Sequence, residues 1–308
     1  MKIVSIALNV PGPVAVARLV AEGAQAIKIE PPWGDPLHDL CKRWYDDLHR
    51  GVAVERSDLK TAGGRARMVT LLESADVFVA SQRPAALARL GLDARSLRTA
   101  FPSLRHVNIV GDTANPEQPG HDLTYQARAG LLPALSGVEG PAPTLRPAQG
   151  DPEHGRGTSG VGLRGLPLTL FADMAGAERA HAAIKDVMNH PGASREVGLY
   201  DALGDLTAPL RYGLTATGGH LGGGNPAYGI YSARDGAIAV TALEPHFRAR
   251  LFEGLGLADG EDPSAVFATK TAIEWEQWAA VRDLPLVAIR QPCFTKASED
   301  GHDASSDS

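Results

Sequence analysis

Short β-rich apolar runs alternate with stretches of helical period along the first 110 residues. Residues 3–7 read as one strand, and Ala26-Ile27-Lys28-Ile29-Glu30 as a second that stops at Pro31-Pro32. Asp76-Val77-Phe78-Val79-Ala80 and residues 104–110 supply two more. Residues 14–22, behind the turn Pro11-Gly12-Pro13, and residues 62–73 carry the helical pattern. Strands separated by helices predict an α/β unit with a parallel sheet covered on both faces. The turn after the first strand has no Gly-x-Gly-x-x-Gly, so the phosphate-gripping glycines of a dinucleotide site are missing.

Farther along, the pattern changes twice. Between residues 133 and 165 it gives way to Pro, Gly, Ser and Thr, which cannot bury enough apolar surface to order themselves. A mobile surface loop is expected there, with a lid and an inert insertion both open. Residues 170–188 then return to a helical period filled with small side chains, with Asp173 near its start. Residues 211–290 read as a smaller α+β domain. Tyr228-Gly229-Ile230-Tyr231 and residues 237–241 flank an Asp235-Gly236 turn, a hairpin signal, and helices follow at 246–255 and 271–281. The expected division is a large domain at 1–190, a linker at 191–210, a small domain at 211–290 and a disordered polar tail at 291–308.

A chain of 308 residues is long enough for two lobes, since single cores stop growing near ~250–300 residues. Its net charge of −6 excludes a global basic footprint for nucleic acid or an anionic membrane, so any anionic ligand must meet a local cluster of Arg and Lys. No stretch approaches the ~20 apolar residues of a membrane span, and the start lacks the form of a signal peptide. A cytoplasmic protein is expected. Two cysteines, Cys41 and Cys293, make neither a disulfide framework nor a thiolate metal site, and no metal is expected.

Three short strings carry the candidate chemistry: Gly120-His121-Asp122, Phe171-Ala172-Asp173 and Leu243-Glu244-Pro245-His246-Phe247. Each sets an acid–base side chain among apolar residues, as proton transfer at carbon requires. Each also has a plain structural reading. Asp173 is placed to stabilise the start of a helix, Glu244 to cap one, and His121 to sit in a loop after a Pro-Gly turn.

In order along the chain, these strings join a longer series. Pro11-Gly12-Pro13 is followed by Ile27-Lys28-Ile29-Glu30-Pro31-Pro32 with Gly34-Asp35-Pro36, then His49-Arg50-Gly51 and Asp58-Leu59-Lys60. Gln82-Arg83-Pro84, Gly120-His121-Asp122, residues 167–173 and residues 222–231 running on to Glu244-Pro245 complete it. The series resembles the class III coenzyme A transferases (the CaiB/BaiF type), a family that also contains the 2-methylacyl-CoA racemases, and the racemase branch most of all. The resemblance implies a Rossmann-like large domain and a smaller α+β domain in an interlocked homodimer, with the active site between lobes at the subunit interface. It implies an acyl-CoA thioester as substrate, with coenzyme A part of that substrate and no tightly bound cofactor. In the transferase branch the residue matching Asp173 attacks the thioester. In the racemase branch the residues matching Asp173 and His121 flank the α-carbon, and the one matching Glu244 pairs with the histidine. Arg83 matches a contact to the coenzyme A phosphates, and Arg50 lies in the string that grips the nucleotide end. His49, Val52 and Ala53 depart from the family's Asn, Lys and Arg there, with Arg43, Arg56 and Lys60 left to compensate. Thr124 and Thr169 stand where the family usually has Asn. These losses keep a third reading open, a diverged acyl-CoA-binding paralogue without catalysis.

Overall fold

Apolar side chains on both faces of the central strands leave a doubly covered parallel sheet as the arrangement that buries them. The computed structural model, which describes residues 1–132, 167 and 169–290, contains such a sheet. The chain divides into two units, Met1–Ala208 and Pro209–Ser308. The expected loop at 133–165, the tail at 291–308 and Cys293 lie outside the described residues; Cys41 is exposed and unbridged.

In the first unit the elements run β1 (Lys2–Ser5), α1 (Pro11–Ala21), β2 (Gln25–Glu30), α2 (Pro36–Leu40), α3 (Lys42–Leu48), β3 (Val52–Arg56) and α4 (Ala62–Glu73). They continue with β4 (Val77–Ala80), α5 (Pro84–Leu90), α6 (Ala94–Ala100), β5 (Arg105–Val110), α7 (Asp122–Arg128), α8 (Phe171–Val187), β6 (Ser194–Gly198) and α9 (Leu199–Leu206). All six strands are parallel in the order β3-β2-β1-β4-β5-β6. The order reverses between β1 and β4, which opens a crevice at their carboxyl ends.

Alternation along each strand sorts the core into two layers. Ile3, Val77, Val79, Val107 and Ile109 meet Val16 and Leu19 of α1 and Ala180 and Ile184 of α8. Val4, Phe78 and Ala80 meet Met68 and Leu72 of α4, Leu87 of α5 and Leu97 of α6. The small residues of α8 let it come close to its neighbours: a Cβ on Gly176 would lie 2.2 Å from Leu199 Cδ2. The stretch expected as a linker, 191–210, belongs to this unit as far as Ala208. Ser194–Gly198 pairs along β5 as the edge of the sheet, and Leu199 and Leu203 are buried in its core. Its polar Ser-Arg-Glu start hid the strand because an edge needs only its inner half apolar.

α10 (Ala208–Arg211) spans the boundary between the units. The second unit then holds β7 (Tyr228–Ser232), β8 (Ala237–Thr241), α11 (Pro245–Leu255), α12 (Ser264–Phe267), α13 (Ala272–Ala280) and β9 (Leu286–Ala288). β7 and β8 form the expected antiparallel hairpin, and β9 adds to β8 as a third strand. Ile238, Val240, Leu251, Phe267, Trp275 and Leu286 make its core, where the Trp275 indole N–H donates to the Phe267 carbonyl at 2.7 Å. Thr271 and Glu274 start α13 with a reciprocal pair of bonds, each side chain accepting from the other's backbone N–H.

Candidate active site

The crevice at the carboxyl ends of the first unit's strands is a cleft of about 270 Å³. The turns after β1 (Leu8, Asn9), β4 (Ser81, Arg83) and β5 (Gly111, Gly120, His121) form its walls, with Tyr125 of α7 and Asp173 of α8. Two of the three candidate acid–base residues, His121 and Asp173, thus face one space.

Local bonds explain the shape of the His121 turn. His121 is extended, at φ −136° and ψ 168°, and precedes α7. The Thr124 hydroxyl accepts from the His121 N–H at 3.1 Å and donates to its carbonyl at 2.7 Å, so a threonine serves where the family usually has asparagine. Tyr125 is 4% exposed and lies against both ends of the turn. A Cβ on Gly111 would sit 2.0 Å from the Tyr125 hydroxyl and one on Gly120 2.5 Å from it, so neither position admits a side chain without displacing the ring. The His121 side chain itself is exposed within this unit.

Asp173 stands in the first turn of α8, half-buried, and its carboxyl has no hydrogen-bond partner among the described residues. Burial, and secondarily the charge of Asp122, push its pKa up from the usual carboxylate range to about 7. Two of the N–H groups at the start of α8 are already taken. Both the Ala172 N–H (2.7 Å) and the Asp173 N–H (3.1 Å) donate to Asp122 Oδ1. Asp173 stands in the first turn of the helix, as its plain structural reading has it, but the capping position is not its own. A buried carboxylate from α7 already fills that position.

Glu244 lies in the second unit, at the N-cap of α11, exposed and without a side-chain capping bond. Of the expected coenzyme A contacts, Arg83 lines the main cleft. Lys60 lines a second, largely apolar cleft of about 270 Å³, which shares Leu8 with the first and is walled by Pro31, Trp33, Leu59 and Leu90. Trp33 leaves 72% of its surface exposed there. Arg43 and Arg50 line neither cleft; both are exposed, and Arg50 turns back to pair with Asp47.

Beside these clefts lies a buried ionic cluster. Lys28 and Glu30 share one face of β2, and Asp35 caps α2. The Lys28 ammonium donates to Asp35 and to His49 Nε2 (2.9 Å), and lies 3.2 Å from Glu30. Glu30 also accepts from the Tyr45 hydroxyl at 2.7 Å, and Asp35 accepts from the N–H groups of Asn9 and Leu37. Glu30, Asp35 and His49 are close enough to share a metal ion, within 4.8 Å of one another, but Lys28 already sets a cation among them. Burial lowers the His49 pKa first; the contact with the Tyr45 carbonyl opposes this, and the Lys28 charge adds to it. Asn9, held by Asp35, is one of two non-glycine residues with positive φ (64°) among those described, and it lines the main cleft. Asparagine tolerates that conformation better than most residues, a signal the sequence reading passed over.

Comparison with known proteins places this geometry among relatives. The chain is 28% identical to alpha-methylacyl-CoA racemase of Mus musculus over 298 residues, which is 90% of this chain and 73% of that protein. It is 29% identical to Rv3272 of Mycobacterium tuberculosis, named a probable fatty acyl-CoA transferase, over 48% of this chain. It spans only 40% of that relative's length, and 37% of the succinate–glutarate CoA-transferase of Agrobacterium fabrum. The crystal structure of Rv3272 in its orthorhombic form superposes with a TM-score of 0.74 at 22% identity, over 94% of this chain and 82% of that one. A CaiB/BaiF family protein from Brucella suis gives 0.71 at 19% identity, over 94% and 83%. The sequence pattern described as CoA-transferase family III matches residues 1–155. That match takes in the β1 turn, the Arg83 corner and the His121 turn, and on it the chain belongs to CoA-transferase family III.

Proposed function

We propose that this chain moves a proton at the α-carbon of an acyl-CoA thioester, in the manner of a 2-methylacyl-CoA racemase. The observation that carries the reading is the pairing of Asp173, titrating near 7, with His121 in one cleft. A thioester acidifies its α-hydrogen by spreading the resulting charge onto the carbonyl oxygen. One of the two residues takes the proton from one face, and the other returns a proton to the opposite face. A carboxyl near pH 7 is present in both forms, so either direction starts from a populated state. Arg83 takes a coenzyme A phosphate through its guanidinium fork, and the apolar cleft beside Trp33 and Lys60 takes the nucleotide end. Two copies of the chain make the working unit.

A second reading has a specific observation behind it. The Asp173 carboxyl makes no hydrogen bond among the described residues, which leaves both oxygens open for attack on a thioester carbon. That is the chemistry of a CoA-transferase, and relatives named as such stand beside the racemase. Proton NMR of the protein with a 2-methylacyl-CoA in deuterated water separates the two. Loss of the α-hydrogen signal, abolished by His121→Ala and by Asp173→Asn, supports proton transfer. Coenzyme A passed to an added carboxylate, without that loss and with His121→Ala still active, supports the transferase. Binding without either leaves an acyl-CoA-binding paralogue.

A further inference from the structure

One buried carboxylate in the first unit is used by neither reading. Asp122 is 5% exposed, follows His121 directly in the chain, and reaches across to the start of α8 fifty residues later. Its Oδ1 accepts from the Ala172 and Asp173 N–H groups, and its Oδ2 accepts from the Gln126 amide. Three donors converge on it, an arrangement suited to a group that only accepts. Leu170, the N-cap of α8, provides no side-chain bond, so Asp122 is the cap, supplied from another helix.

We propose that Asp122 is a positioning residue: it clamps the first turn of α8 to the His121 turn, and it keeps a fixed negative charge behind the Asp173 carboxyl. One side chain thereby sets where Asp173 stands relative to His121 and how readily Asp173 holds a proton. The inference deepens the proposed function only in saying what Asp173 is held ready to do. The placement of Asp122 is independent of it.

Among the described residues of the first unit, few charges compete for this role. Those that face Asp173 or its cleft are Asp122 and Tyr125 from α7, His121 at its start, and Arg83 from the corner before α5. The turn into α1 and the start of α9 contribute Pro11 and Leu199 to the cleft, both uncharged. Asp122 is the charged group among these that is bonded to the Asp173 backbone.

The surroundings also provide a clean variant. Gln126 is 1% exposed, and its Oε1 has no partner among the described residues. In Asp122→Asn the side-chain oxygen still accepts from the two α8 N–H groups. Its new NH2 meets Gln126, which presents Oε1 after an amide flip. The hydrogen bonds are kept and the charge is removed.

The test follows the Asp173 carboxyl directly, by carbon NMR of protein labelled at the aspartate carboxyl, with the signal assigned through Asp173→Asn. Asp122→Asn is expected to lower the Asp173 midpoint by about one pH unit, as loss of a neighbouring like charge should, while the melting temperature holds. Asp122→Ala should lower both. Asp122→Ser, neutral but still an acceptor, serves if the asparagine variant does not fold. A midpoint unchanged in a folded neutral variant overturns the proposal. The pH profile of α-hydrogen exchange is measured in parallel, and its Asp173 limb should move with the midpoint. If the wild-type protein shows no exchange while the midpoint still shifts with Asp122, the acyl-CoA racemase reading fails and this one stands.

Discussion

Replacing Lys28 with methionine tests whether the buried ionic cluster holds the first unit together. The change keeps the side chain to within one atom of its length and removes its charge. In the structure the ammonium contacts Asp35, Glu30 and His49, and Lys28, Glu30 and Asp35 are each no more than 2% exposed. Breaking a buried ion pair from one side typically costs about 3–5 kcal/mol, because the remaining charge has no counterpart. The lower end applies here. Asp35 keeps the N–H groups of Asn9 and Leu37, and Glu30 keeps the Tyr45 hydroxyl with Arg56 at 3.8 Å. A loss of ~3 kcal/mol in a unit of this size lowers its melting temperature by roughly 6–12 °C. Scanning calorimetry at pH 7.5 is the suitable assay, since a chain of two units need not melt in one step. Adding Glu30→Gln to Lys28→Met should restore part of the loss, because it removes one of the two stranded charges. Lys28→Met melting with the wild-type protein, or above it, would refute the reasoning. It would mean that water or proton uptake satisfies the carboxylates as well as Lys28 does.

Three further outcomes are expected. His106 is 4% exposed beside Phe78, and burial lowers its pKa to about 4. The unfolded chain therefore takes up a proton that the folded one refuses, and stability falls as the pH drops from 6.5 toward 4, by roughly 3 kcal/mol in all. His106→Leu should flatten that part of a denaturant-midpoint curve, and an unaltered slope would assign it to other groups. Asp173 has the opposite sense for an acid. Its raised pKa means the unfolded chain loses the proton first, so stability declines as pH rises from 3.8 to about 7. Asp173→Asn should thus raise the melting temperature at pH 8, leave it little changed at pH 3.5, and abolish activity. Equal melting at pH 8 contradicts this. Gly176→Ala forces a methyl to 2.2 Å from Leu199 and should cost about 1–3 kcal/mol in urea titrations. Adding Leu199→Ala should relieve the strain, and no relief would locate the clash elsewhere.

The parts of the fold legible in the sequence were those whose burial has a local cause. β1, β2, β4 and β5 are short apolar runs, and the β7–β8 hairpin announces itself through Asp235-Gly236. β3 and β6 lie at the two edges of the sheet and carry polar residues such as Glu55, Arg195 and Glu196, so neither stood out. Lys28 and Glu30 alternate with Ile27 and Ile29, a pattern that normally sends charges to solvent. In a sheet covered on both faces the charges had to pair within, which alternation cannot indicate. His121 and Asp173 were found as residue types in apolar surroundings, and the shared cleft needed the fold. The part played by Asp122 depends on bonds to a helix fifty residues away, and no local pattern carries it.

Asp173 rides on a helix of seventeen residues packed along α1 and α9, whereas much of the rest of the cleft is made by turns at strand ends. On the proposed function, the carboxyl that does the chemistry and the surfaces that choose a substrate belong to mechanically different parts. Rewriting Leu8–Asn9, Ser81–Arg83 or the stretch from Gly111 to Gly120 changes what fits without reseating α8, provided the bond from Asp122 survives. If the proposed function holds, a lineage or an engineer can exchange acyl preference at the turns and inherit the chemistry unchanged. The glycines under Tyr125 mark where that freedom ends.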